Sequence, residues 1–244
     1  MVRRETVLTA LGAGTLAGVT GRLLGSERTV VTACAAVGVV SGAISGSNRM
    51  YDWKSARGRA AFVLDHTWAL ATTTVGSLAW LVNHLLPDSG FERHLSERRN
   101  RLVFRRGVVV RRGFAVTLGY VVNGAGGRAG VITQSRLNLV DRHEDVHVWQ
   151  ARAFGPLYAL GYAVWSAAGA IAAIVSWPLD RRGSMATRID SFAYYCNPFE
   201  WHAYTRDDNW PPSSADARLV WRRRFDAVFG RELRDSSGSR EERR

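Results

Sequence analysis

The apolar residues of this 244-residue chain are pooled into four stretches, and polar, arginine-rich segments separate them. This distribution constrains the fold more than the total apolar content does, because that content is ordinary for a globular protein. A helix needs about 20 predominantly apolar residues to cross the hydrocarbon core of a bilayer, and each stretch is close to that length. The sequence therefore predicts helices that lie in or on a membrane. The four stretches cover residues 6–24, 29–46, 62–86 and 157–179.

Glycine recurs at every fourth position in the first two stretches. That spacing places the glycines on one face of a helix, where two backbones can approach closely and pack by dispersion. A flexible glycine-rich segment is the alternative, but the valines and leucines between the glycines favour helices. We expect an uncleaved helical hairpin whose glycines also join copies of the chain into a homo-oligomer. The glycines are Gly14 and Gly18, Gly21 and Gly25, and Gly38, Gly42 and Gly46.

The third stretch, 62–86, carries its polar residues at its ends. Asp65 and His66 lie near its start and His84 near its end, as is typical of a spanning helix with interfacial residues. We therefore expect this stretch to lie in the membrane with the first two, and the alternative is that its polar ends cap a buried helix of a soluble protein.

The formal net charge of +12 raises the question of a nucleic-acid partner. Lys54 is the only lysine, so the basic residues are almost all arginine, which we interpret as codon bias. No recognised nucleic-acid-binding motif accompanies the charge. We therefore expect no nucleic-acid partner, and we expect the anionic headgroups of membrane lipids to be what the charge attracts.

The segment between the third and fourth stretches is typical of strands. Residues 102–122 are interpreted as extended because β-branched residues such as Val108 and Val109 favour a pleated surface. Residues 114–122 form the second expected strand, and a glycine-rich turn follows it. The sequence predicts a small antiparallel sheet here, and then a helix over about residues 136–153.

The predicted helix contains the motif His143-Glu144-Asp145-Val146-His147. Positions i and i+4 lie one turn apart on the same face of a helix, so His143 and His147 can bind one zinc ion together. Glu144 directly follows the first histidine, where its carboxylate can take a proton from a water on the metal. The alternative is a solvated helix with two surface histidines beside a charged run.

At this motif the sequence resembles the zincin metallopeptidases, and within them the gluzincin type. In that family two histidines and a glutamate from a later helix bind the zinc ion. The resemblance implies that His143, His147 and Glu200 are the zinc ligands, and that Glu144 is the general base.

The resemblance covers about residues 100–210. Glu200 begins the E-x-x-A core of the E-x-x-A-D pattern of many membrane-bound members, but Tyr204 takes the place of the aspartate. Tyr204 lies one turn beyond Glu200, and we expect it to donate a hydrogen bond to a developing oxyanion, although a tyrosine at such a place more often only packs. Gln150 completes H-E-x-x-H-x-x-Q, a variant similar to that of poorly characterised bacterial zincin-like proteins. A bacterial cytoplasmic membrane is therefore the expected location.

Glu200 also has a purely structural interpretation. Asn197 is a good N-cap and Pro198 suits the first helical position, which puts Glu200 at the third. A glutamate there can bond back to the N–H of the capping residue, as in a capping box. His202 and Asp207 are further candidates for the third metal ligand.

The expected fold class is α+β and mostly helical, with glycine-rich membrane helices and a zincin-like metal-binding domain that contains the small antiparallel sheet. Residues 1–90 would form the membrane helices, and residues 91–210 the metal-binding domain. The apolar helix 157–179 belongs to that domain and would pack against the histidine helix at the membrane face. Residues 211–244 would form a basic amphipathic helix and a disordered tail.

The leading functional hypothesis is a membrane-associated zinc-dependent metallopeptidase, whose substrate is a peptide or protein close to the membrane. Two alternatives stay open: a catalytically silent zinc-binding membrane protein, and a structural membrane protein that oligomerises. The presence of Glu144 favours an enzyme, because a silent relative would often have lost it. The missing aspartate after Ala203 favours the silent protein.

Overall fold

The computed structural model describes residues 2–25, 27–109, 113–179 and 184–229. The chain is mostly helical and contains one small three-stranded sheet, which agrees with the expected α+β class. It divides into two compact units, residues 1–159 and 160–244. The expected boundaries near residues 90 and 210 stay predictions.

The first unit begins with two helices, α1 (Val2–Leu23) and α2 (Arg28–Ser47), that pack on each other through glycines. A Cβ atom on Gly38 would lie 2.5 Å from the Ala13 carbonyl oxygen, and one on Gly42 would lie 2.6 Å from the Ala13 Cβ. These distances are too short for any side chain, so glycine is what lets the two backbones meet. The glycine face is therefore used within the chain, and the homo-oligomer stays a prediction.

The third apolar stretch forms two helices, α3 (Ala56–Asp65) and α4 (Leu70–Leu85), and not one spanning helix as expected. The break follows Asp65, whose carboxylate accepts hydrogen bonds from Arg152 and from the Tyr51 hydroxyl, each at 2.8 Å. Asp65 is 2% exposed. Its charge is thus neutralised by a partner inside the protein.

Helix α4 has an inverted distribution of polar and apolar side chains. Its buried residues are small or polar, whereas the large apolar residues on its other face are exposed. A surface helix of a water-soluble protein shows the opposite arrangement. The buried residues are Thr72, Thr73, Gly76, Ser77, Ala79 and Asn83, and the exposed ones are Val75, Leu78, Leu81, Val82 and Leu85.

Among the described residues, two helices are long and apolar enough to cross a membrane, namely α2 and α7 (Leu157–Ser176). A buried core helix or an N-terminal signal sequence can have the same length and the same apolar composition. Only 6% of the apolar window of α7 is buried, however, so α7 is not a core helix.

The sheet of the first unit is mixed, and the prediction of an antiparallel sheet was wrong. Strand β2 (Val116–Leu118) is antiparallel to β3 (Val121–Asn123), but β1 (Leu102–Val103) is parallel to β3. The strand order is β1-β3-β2, so β3 is the central strand and β1 and β2 are the edge strands. Residues 114–122 do not form one strand, because Gly119 has a φ of +58° and begins the turn between β2 and β3.

The valines expected in the first strand also lie elsewhere. Val108 and Val109 belong to no strand, and the backbone N–H of Val108 donates to the Asn83 side chain. Residues 110–112 lie outside the described part of the chain. The main core of this unit contains Ile44, Tyr51, Ala61, Ala79, Leu102, Phe104 and Val121.

The first unit ends with α5 (Gln134–Asn138), a π-helical turn (Leu139–Glu144), α6 (Asp145–Phe154) and the first residues of α7. The predicted helix 136–153 is confirmed, with a π-helical turn inside it.

The second unit contains most of α7 and three shorter helices. Within the described residues the expected basic helix after residue 212 covers Phe225–Phe229, and Trp221 precedes it with its indole N–H donating to the Cys196 carbonyl. The tail from residue 230 lies outside the described residues. The helices after α7 are α8 (Met185–Ile189), a π-helical turn (Asp190–Tyr195), α9 (Pro198–Arg206) and α10 (Phe225–Phe229).

We predict that Gly42→Ala destabilises the chain by about 1–3 kcal/mol, because the new methyl group overlaps Ala13 and the Thr9 carbonyl. Gly21→Ala is the matched control, since its methyl group would meet its nearest neighbour, the Val31 Cα, at 3.4 Å. We expect that variant to be at least as stable as wild type, because alanine favours helix. Unfolding in detergent, followed by circular dichroism, measures both. Equal stability of the two variants would contradict the close glycine packing.

Candidate metal centre

The two histidines of the motif lie in different kinds of helix. His143 is in the π-helical turn, and His147 is in the first turns of α6. Such π-helical turns are rare and occur frequently at functional sites. The segment begins at Thr133, whose hydroxyl caps α5 by accepting from the backbone N–H of Arg136.

His143 and His147 are both buried, and their Nε2 atoms lie 3.2 Å apart. Zinc–nitrogen bonds are about 2.0–2.1 Å long, so two nitrogens of a tetrahedral site are about 3.3 Å apart. The observed separation agrees with that value. The alternative of two solvated surface histidines is wrong, because the two side chains are buried and face each other.

A polar neighbour orients the His147 ring. Its Nδ1 lies 2.8 Å from the Gln150 Oε1 and 3.2 Å from the Tyr158 hydroxyl. When Nδ1–H donates to the amide oxygen of Gln150, Nε2 carries the lone pair and is the acceptor atom. Histidines that bind metals in proteins are commonly held in this way.

Glu144 is buried beside the sheet. Its Oε2 accepts a hydrogen bond of 2.6 Å from the Thr117 hydroxyl, and Thr117 lies on the edge strand β2. Arg136 is the nearby cation: burial lowers the pKa of its guanidinium, and the Glu144 carboxylate opposes that shift. Arg136 is itself held by the carbonyl oxygens of Gly124 and Ala125.

Glu200 lies in the first turn of α9, as predicted. Asn197 caps this helix by accepting from the Phe199 N–H, and Pro198 occupies its first position. The N–H of Asn197 donates to the Tyr194 carbonyl, so the donor that a capping box would use is already bonded. The Oε1 atom of Glu200 instead accepts a 2.9 Å hydrogen bond from the Tyr162 hydroxyl.

His143, His147 and Glu200 are buried and together offer three ligand atoms that lie within 4.8 Å of one another. This group could therefore bind a metal ion. Among the residues that the structure describes, His202 and Asp207 are not part of it.

Tyr204 lies in an aromatic cluster of the second unit. Its ring contacts Tyr195 and Trp210, and its hydroxyl is 3.4 Å from that of Tyr194. Burial raises the pKa of Tyr194, and the nearby Glu200 carboxylate raises it further. The Tyr194 hydroxyl therefore stays protonated, while the oxyanion role of Tyr204 stays a prediction.

Two buried arginines fix the helix that carries the motif. Arg101 donates to both Asp141 and Asp145, which flank the motif residues His143 and Glu144. Arg152, at the other end of α6, forms two hydrogen bonds of 2.8 Å with Asp65.

Sequence reasoning did not find the side chains that hold the motif. Gln150 was part of the motif, but no role could be given to it. No local sequence pattern indicates Thr117, Tyr158 or Tyr162, because the fold brings each of them to its partner.

Comparison of the chain with protein-family models, with curated proteins and with solved structures finds no match. The resemblance to zincins therefore stays an expectation that rests on the motif residues.

We predict that Asp65→Leu destabilises the first unit by about 3–5 kcal/mol, because it leaves the Arg152 guanidinium buried without its carboxylate. The double variant Asp65→Leu/Arg152→Met should recover much of this loss, because no buried charge is left unpaired. Chemical denaturation of both variants measures the difference. If the double variant were no more stable than the single one, the unpaired charge of Arg152 would not be the cause of the lost stability.

Proposed function

We propose that this protein is a membrane-associated zinc-dependent peptidase. The observation that carries the proposal is the buried pair of His143 and His147, whose Nε2 atoms are separated by the distance of two ligands on one zinc ion. Glu144 directly follows the first of them and is also buried. Two imidazoles with an adjacent buried carboxylate suit hydrolysis better than they suit a purely structural metal site.

The third ligand of the proposed site is Glu200. Two histidines and one glutamate form a common ligand set of catalytic zinc sites, where the fourth position is left for water or substrate. A zinc ion supplies Lewis acidity and makes water a nucleophile at neutral pH. The Tyr162 hydroxyl holds one carboxylate oxygen of Glu200. The hydrogen bond between His147 and Gln150 leaves the His147 Nε2 as an acceptor.

Glu144 is the proposed general base. It takes a proton from the attacking water and then delivers it to the leaving amine. The hydrogen bond from Thr117 fixes the side chain at one oxygen and leaves the other carboxylate oxygen to accept the proton. Thr117 also connects the base to an edge strand, to which an extended peptide can add by backbone hydrogen bonds.

The exposed apolar faces support a location in a membrane. Helix α7 exposes large residues along its length, and α4 exposes its apolar face while it buries polar groups. Together with the span-length helices α2 and α7, this favours a substrate whose scissile bond lies close to the membrane surface.

We predict about one zinc per chain in the detergent-purified protein. His143→Ala should lose it, and Glu200→Ala should bind it much more weakly. Elemental analysis after dialysis against a defined zinc concentration measures all three. His202→Ala is the matched control, because His202 is on the same helix as Glu200 and outside the group. A wild type that carries no metal and cannot be loaded would refute the proposal.

We predict that Glu144→Gln keeps its zinc and loses peptide hydrolysis by at least about 100-fold, because general-base catalysis contributes about 10²–10⁴-fold. Thr117→Val should lower kcat by a smaller factor and leave the zinc content unchanged. Cleavage of a peptide library in detergent, followed by mass spectrometry, gives both rates. A protein that binds zinc and cleaves nothing in the library, with Glu144→Gln indistinguishable from wild type, would instead identify a silent zinc-binding protein.

A further inference from the structure

A cavity of about 680 Å³ lies in the first unit at the C-terminal end of α4. Its walls combine apolar side chains, glycines and two arginines, and no acidic residue in the described part of the chain lines it. The residues that matter for its chemistry are Leu86, Val109 and Phe114 on the apolar side, and Arg106 and Arg128 on the charged side.

The two arginines are exposed and are not neutralised by another described residue. Neither guanidinium forms a hydrogen bond or an ion pair with another residue that the structure describes. A Cβ atom on Gly130 would lie 2.8 Å from the Arg106 Nε, and one on Gly113 would lie 2.7 Å from the Arg128 Cγ. Each arginine side chain thus lies directly against the backbone of a glycine, where the Cβ atom of any other residue would overlap it. Two positive charges with no described carboxylate in the cavity wall will attract an anion.

The exposed apolar face of α4 leads to this cavity. Val75, Leu78, Val82 and Leu85 follow one another at helical spacing along that face, and Leu86 continues it as part of the cavity wall. This face is about 15 Å long at 1.5 Å per residue, which suits an extended acyl chain. An apolar strip that ends at two unpaired arginines matches a molecule with a hydrocarbon chain and an anionic head.

We propose that this cavity binds an anionic phospholipid. The phosphate of the headgroup lies between Arg106 and Arg128, and one acyl chain lies along the exposed face of α4. A neutral or zwitterionic lipid would leave the two positive charges without compensation, so binding is selective for net negative headgroups. The site is separate from the residues of the metal centre, and the inference does not depend on the peptidase function.

Native mass spectrometry of the full chain in detergent tests the site, with dimyristoyl phosphatidylglycerol as the probe. We expect wild type to retain this lipid at least about tenfold more strongly than dimyristoyl phosphatidylcholine, because two arginines attract the net charge. Arg106→Gln/Arg128→Gln should lose that preference, whereas Arg106→Lys/Arg128→Lys should keep most of it. The matched control is Arg93→Gln/Arg99→Gln, which removes the same charge from two exposed arginines outside the cavity.

Two further probes separate the headgroup from the acyl chain. Glycerol phosphate should bind far more weakly than phosphatidylglycerol, and Leu78→Gln/Leu85→Gln should weaken retention of the lipid. If glycerol phosphate bound as tightly as the lipid, the cavity would be an anion site and the lipid assignment would be overturned. It would also be overturned if Arg93→Gln/Arg99→Gln lost the lipid to the same extent as Arg106→Gln/Arg128→Gln, since that result would indicate attraction by net charge alone. Circular dichroism of each variant excludes loss of the fold as the cause.

Discussion

The buried ion pair between Arg152 and Asp65 is the interaction on which the position of the histidine helix depends. Arg152 lies on α6, and Asp65 ends α3, so the pair joins two helices that are far apart in sequence. Arg152 also donates to the Asn100 carbonyl and lies over the Trp149 ring. An apolar contact of the same size could hold the two helices together, but it would not fix their rotation as directed hydrogen bonds do. The rotation of α6 in turn decides where its histidine faces.

The sequence predicts those parts of the site that depend on local geometry. Two histidines at i and i+4 share a helix face in any fold, so His143 and His147 could be paired from the motif alone. The cap at Asn197 and the first-turn position of Glu200 follow from capping rules, and the structure has both. Whether Glu200 forms a hydrogen bond with the N–H of its capping residue depends on which side chains from other helices lie near it. Tyr162, which donates to Glu200, comes from another helix, and no local pattern indicates it.

The sheet and the third apolar stretch show the limit of local reasoning. A run of β-branched residues indicates extended chain, but the pairing of β1 with β3 is set by a contact across 19 residues of sequence, between Leu102 and Val121. The same limit applies to Asp65. Near the end of an apolar stretch it is typical of a membrane interface, and only the fold reveals the arginine that neutralises it. The length of the apolar stretches thus predicted the presence of helices correctly, but it did not predict that the third stretch breaks after Asp65.

The π-helical turn at Leu139–Glu144 makes the motif sensitive to the length of the chain. A π-helical turn holds about one residue more than an α-helical turn, so the helix before it is rotated by about 100° relative to a regular continuation. That rotation directs Arg136 toward the carbonyl oxygens of the glycine-rich loop after β3 while Glu144 faces Thr117. Deletion of a single residue from this turn would restore a regular helix and turn Arg136 away from the loop. In the evolution of such a chain, insertions and deletions within these six residues would be far more restricted than substitutions.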